Sequence, residues 1–167
     1  MLIWLVADSM SPALTTYTAQ NLGAGKQDRV KKGAYIGTGM SVGAVGLISL
    51  VLFFFGGIIG SWFIDANDAA VLIPLVIKYT KMMAPFFIFY AVAEALSGAC
   101  CGLGDTFRPM ITTLLTICLL RVVAIWFVLP MFKTMECITV IYIVSWIAAG
   151  TAFFCLYKYI SSRKLKA

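Results

Sequence analysis

From Gly33 to Ile64 the chain runs without one charged residue. The hydrocarbon core of a bilayer is roughly 30 Å thick and takes about 20 apolar residues in helical form. This run is long enough to cross it with tilt, or to project beyond it. Composition agrees: of 167 residues, 62% are hydrophobic and 12% charged, about half the charge of an ordinary soluble domain. The wealth of aromatic and branched residues excludes disorder. The expected fold is all-α and integral to the membrane, a single membrane domain over residues 1–167.

The same ruler finds five spans, A to E: residues 2–22, 33–64, 82–103, 110–131 and 137–157. Span A is the weakest, since it carries Asp8 and many hydroxyls; spans C and D are broken by Glu94 and Arg121. Residues 69–81 are apolar but too short for another crossing, and Lys78 and Lys81 suit a segment lying in the interface. Pro85 predicts a kink at the start of span C, tolerated where neighbouring helices satisfy the freed carbonyl. The N-terminus lacks the basic start and the clean small-residue cleavage site of a signal peptide and is expected to be retained.

Net charge is +6, with no histidine. Lys26, Arg29, Lys31, Lys32, Arg108 and the basic tail 158–167 (Lys158, Arg163, Lys164, Lys166) fall on one side of the five-span arrangement. Lys133, with Lys78 and Lys81 at most, falls on the other. The positive-inside rule therefore puts the C-terminus in the cytoplasm and the N-terminus outside, in a multi-pass protein of the cell membrane. The basic surplus reports orientation and gives no reason to expect a nucleic-acid partner; the bilayer is the partner. Cys100, Cys101, Cys118, Cys137 and Cys155 form no CxxC pair and are expected to be reduced packing residues, with no metal site.

Small residues at four-residue spacing on span B (Gly33, Gly37 and Ser41; Gly39 and Gly43; Gly56 and Gly60) predict flat faces for neighbouring helices. Two glycine-rich segments end helices. Gln20-Asn21-Leu22-Gly23-Ala24-Gly25-Lys26 lacks the residues of a phosphate-binding loop and reads as a helix stop followed by cations, including Arg29. Gly98-Ala-Cys-Cys-Gly102-Leu-Gly104-Asp105-Thr106-Phe-Arg108-Pro109 reads as a tight hairpin: Gly98 and Gly102 form a small face, Gly104 ends the helix, and Asp105 or Thr106 caps the next helix with Pro109 in its first turn.

Taken together, the AQNxGAGKxxR and GxxxGLGDTxxP segments, about 75 residues apart and followed by an arginine in the next span (Arg121), resemble the C-terminal half of MATE-type multidrug and toxic-compound extrusion transporters. The resemblance covers nearly the whole chain. It implies that the five helices correspond to the eighth to twelfth spans of a twelve-helix antiporter, most of one six-helix lobe, with the first seven spans outside this chain. Cys100-Cys101 stands where the family usually has Leu-Arg. Members with a coupling carboxylate in the tenth span carry it near the register of Tyr90, one turn before Glu94, so the resemblance makes Glu94 a neighbouring candidate and not a residue-for-residue match.

Asp8, Glu94 and Arg121 lie inside the spans, where ionisable residues mark function by default. At 1.5 Å per residue they sit about 20, 12 and 18 Å from the basic end, and spans C and D, joined by a short loop, are expected to be neighbours. Two readings follow. Glu94 and Arg121 form a structural ion pair; or Glu94 or Asp8 binds H⁺ or Na⁺ in competition with a cationic substrate. Trp62, Trp126 and Trp146 suit packing or interface anchoring more than ligand contact.

The resemblance implies part of a secondary active efflux antiporter for small organic, cationic substrates, coupled to H⁺ or Na⁺, with no cofactor and dependent on the N-terminal lobe. One alternative is a flippase for lipid-linked precursors, which would line its cavity with several basic residues where this chain offers Arg121. Another is a truncated membrane subunit that does not transport. An enzyme is disfavoured, since the chain has neither histidine nor a nucleophile with a base.

Overall fold

The computed structural model describes residues 2–65, 68–132 and 134–165. Among them every regular element is helical. α1 spans Leu2–Gly23, α2 Gln27–Ser61, α3 Ala69–Met83, α4 Phe87–Gly102, α5 Phe107–Thr113, α6 Leu120–Phe132 and α7 Met135–Lys164. A single 3₁₀ turn over Ala84–Phe86 carries α3 into α4, at the proline expected to break the helix. A π-helical stretch, Leu114–Leu119, carries α5 into α6. Four continuous helices are long and apolar enough to cross a membrane: Gln27–Ser61, Ala69–Gly102, Phe107–Val128 and Met135–Lys164. α1 is of spanning length but more polar.

Several boundaries differ from expectation, for one physical reason. Apolar runs mark the length of chain that fits in lipid, whereas helices continue through lysine and arginine, which are good helix formers. α2 therefore begins at Gln27 and carries Arg29, Lys31 and Lys32 in its first turns, and α7 continues through the basic tail to Lys164. Residues 69–81 are not a separate element: they continue into α4 and pack along the far end of α2, where Gly56, Gly57 and Gly60 receive Thr80, Ile77 and Val76. Lys133 and Lys166 lie outside the described residues.

α4 is the hub, packed against α1, α2 and α7. Ala93, Leu96, Ala99, Cys100 and Leu103 meet Val30 and Ala34 of α2, and Ala149, Phe153, Tyr157 and Ile160 of α7, in one buried cluster toward the basic end. α1 is clamped between glycine faces. Gly98 and Gly102 face the Ser11 and Thr15 carbonyls, and Gly33 and Gly37 receive Tyr17 and Leu14. The Thr15 hydroxyl donates to the Ser11 and Gly98 carbonyls, 2.9 Å from each. The second predicted face, Gly39 and Gly43, meets nothing within 4 Å and points outward.

Spans C and D are not neighbours along their length. α4 and α5 meet near their shared loop, while α5, α6 and the π stretch all pack on α7. α7 comes between because Gly150 lets its backbone approach the Phe89 carbonyl of α4. Both predicted helix stops hold, with Gly25 and Gly104 at φ +71° and +78°, the left-handed conformation that favours glycine. Thr106 is the N-cap residue of α5 and makes no side-chain cap bond; Asp105, one residue earlier, accepts from the Arg108 backbone N–H at 3.3 Å.

Candidate functional site on the α1 and α4 face

The three intramembrane charges do not form one ion pair. Arg121, at the start of α6, donates Nε to Ser145 Oγ on α7 at 2.8 Å, and its guanidinium carbon lies 4.1 Å from the centre of the Tyr142 ring. Among the described residues Arg121 makes no salt bridge to Glu94. The structural-pair reading fails here because α7 stands between the two helices that carry them. In sequence, Arg121 and Ser145 each lie twelve residues from position 133, between the end of α6 and the start of α7, so antiparallel helices place them side by side. Those equal intervals were the available signal for Ser145 and went unused.

The carboxylates gather on the other side of α4. Tyr90 Oη donates to Asp8 Oδ1 of α1 at 2.8 Å. Glu94 is one turn along α4 from Tyr90, half-buried and within electrostatic reach of Asp8. Thus the acid that meets Tyr90 comes from α1. Asp8, Tyr90 and Glu94 therefore lie on the α1 and α4 side, while Arg121 is held against α7.

Aromatic rings wall this region. Trp4 and Trp146 lie 5.9 and 6.4 Å from the Tyr90 ring, Phe87 lies 4.9 Å from Trp146, and Tyr142 packs edge-on to Trp146 at 6.1 Å. Trp146 is 1% exposed, and its indole N–H has no partner among the described residues. It is a packing residue, as expected, while Trp62 and Trp126 are 77% and 76% exposed on the outer surface. Tyr142 and Ser145 were missed as contacts of Arg121, since an apolar run hides which of its polar members face inward. Asp8 lies on the open side of α1. The arrangement brings two carboxylates and a phenol, all oxygen-bearing groups, to one side of α4.

The five thiols are free. Cys100 is a buried packing residue as expected, whereas Cys118 and Cys155 are exposed. No group of three metal-binding side chains occurs among the described residues. The motif residues are architectural in this structure: Gly98 and Gly102 seat α1, and Gly25, Gly104 and Asp105 shape two turns.

Compared with known proteins, residues 1–127 match the family model described as MatE. No curated protein and no solved structure matches the chain.

Proposed function

The chain belongs to the MatE family of membrane transporters, and from that premise we propose that it is part of a cation-coupled efflux antiporter of the cell membrane. Asp8, Tyr90 and Glu94 form its coupling site, and its substrates are small organic cations. The observation that carries this reading is the Tyr90–Asp8 hydrogen bond with Glu94 one turn away. Carboxylates within a membrane domain are costly unless they do work, and two of them close together favour uptake of a positive charge. A proton or Na⁺ held there lowers the site's negative charge, so an organic cation that competes for the same carboxylates is bound in one state and released in the other.

The basic loops support an orientation with the C-terminus in the cytoplasm. Alternating access of this kind needs a second lobe moving against the first, and α1, with Asp8 on its open side, is the face to receive it.

The test is direct. Trp4 and Trp146 lie against Tyr90, so titration with Na⁺, or with acid at constant ionic strength, should change the tryptophan emission of the purified chain. Asp8→Asn and Glu94→Gln should each abolish the response. In cells expressing the complete transporter, the same substitutions should stop ethidium efflux at unchanged protein level. Efflux that persists in both variants overturns the assignment.

A further inference from the structure

At the basic end, the last turns of α7 fold against the α4–α5 turn. Lys164 Nζ donates to the Leu103 carbonyl at 2.7 Å. Just before it, the ring of Tyr159 carries two guanidinium groups: that of Arg163 with its central carbon 4.6 Å from the ring centre, and that of Arg108 at 5.3 Å. Like charges gathered on one ring repel unless an anion joins them. Asp105 takes one nitrogen of Arg108 at 2.9 Å, and Arg163 has no carboxylate partner among the described residues. Lys158, stacked 4.5 Å from the Phe154 ring centre, and Lys164 add two further cations. Tyr159, Arg108 and Arg163 are all exposed.

The geometry points to a binding site for a phosphate group held by Arg108 and Arg163 about Tyr159, the phosphate being that of an acidic phospholipid headgroup. Guanidinium groups offer paired N–H donors that match phosphate oxygens. Asp105 engages one nitrogen of Arg108, leaving the rest of its fork available. A lipid rather than a free anion is favoured by the neighbours: Phe107 and Phe154 are exposed beside these cations, an apolar surface on which the upper acyl chains can lie. Aromatic and basic side chains meet at headgroup depth for this reason. A lipid seated here bridges α5 to α7 beside the Lys164 tie, and so braces the α4–α5 turn.

The experiment uses the purified chain in uncharged detergent and follows its thermal unfolding midpoint with added phosphatidylglycerol, phosphatidylcholine or inorganic phosphate. Phosphatidylglycerol should raise the midpoint and phosphatidylcholine should not. The double variant Arg108→Gln/Arg163→Gln should lose most of that rise. Lys31→Gln/Lys32→Gln, which removes the same charge from exposed positions on α2, should keep it. Equal loss in both double variants overturns the proposal in favour of general surface attraction. An equal rise with inorganic phosphate overturns the lipid as the source. Arg163→Gln alone breaks no hydrogen bond or ion pair among the described residues; by native mass spectrometry it should retain less than half of the wild-type phosphatidylglycerol, and unchanged retention overturns the site.

Discussion

α4 and the helix formed by α5 and α6 are both strongly apolar, yet they sit in the molecule in opposite ways. Half of α4 is buried, through Ala91, Ala93, Ala95, Leu96, Gly98, Ala99, Cys100 and Gly102. Along α5 and α6, Pro109 is the one buried residue among those described, and Leu114, Leu119, Val122, Trp126 and Phe127 are all exposed. In lipid, apolarity does not drive helices together, because acyl chains are as apolar as leucine. Size does the sorting. Alanine and glycine let backbones approach closely enough for dispersion and for bonds such as Thr15 to the Gly98 carbonyl, while bulky residues hold neighbours off and face lipid. The α5–α6 helix is then held by a few specific contacts to α7, chiefly Arg121 on Ser145 and Tyr142.

The largest effect should come from filling the glycine seat. Gly98→Leu drives a side chain into the Ser11 carbonyl and breaks the Thr15 bond. Overpacking costs about 1–3 kcal/mol and a lost hydrogen bond about 1 more. Leu119→Ala or Val122→Ala, on the lipid face of the other helix, should cost less than about 0.5 kcal/mol. Chemical unfolding in detergent measures both, and similar losses at the two places would break the contrast between buried and bare helices.

Next comes the contact that holds α6 to α7. Arg121→Ala removes a charged hydrogen bond and a cation over a ring, worth roughly 1.5–3 kcal/mol for the former. Arg121→Lys keeps the charge but loses the planar fork and should recover only part of this. A cysteine pair placed at 124 and 141, which border one cavity between α6 and α7, should cross-link readily in the parent and slowly in Arg121→Ala. Unchanged cross-linking would mean that apolar packing alone holds α6.

Much of this architecture was legible from the residues, and the failures are instructive. Hydropathy located the long apolar helices, because a bilayer demands a minimum apolar length of each span, but it set residues 69–81 apart from the continuous helix Ala69–Gly102. It misplaced ends wherever charged residues continue a helix, as at Arg29 and Lys158. It also took short loops for adjacency, so spans C and D were paired and Glu94 was offered Arg121. Side-chain size would have corrected this: Gly150 marks where α7 can slide against α4. The π stretch Leu114–Leu119 contains neither glycine nor proline, and nothing local distinguishes it from an α-helix. Asp8 was recognisable as a costly charge, but its partnership with Tyr90 depends on how α1 seats on Gly98 and Gly102, which is a tertiary property.

A smaller effect is expected where stability and function part. Tyr90→Phe removes one hydrogen bond from a carboxylate that is itself exposed, and should cost no more than about 1 kcal/mol, while strongly weakening the cation response seen by tryptophan emission. A loss as large as that of Gly98→Leu would make Asp8–Tyr90 part of the packed hub.

The smallest effect should be at the far end, where Lys78 of α3 pairs with Glu136 of α7. Both side chains are more than half exposed, so the pair gains little from water and is screened by salt. Lys78→Gln should leave the unfolding midpoint unchanged at high ionic strength. Gly57→Leu, which sets a side chain against Ile77 on the α2–α3 contact, should lower it clearly. If the ion pair instead proves the stronger tie, α3 is held by charge, and the rule that small residues decide which helices pack would stop at α4.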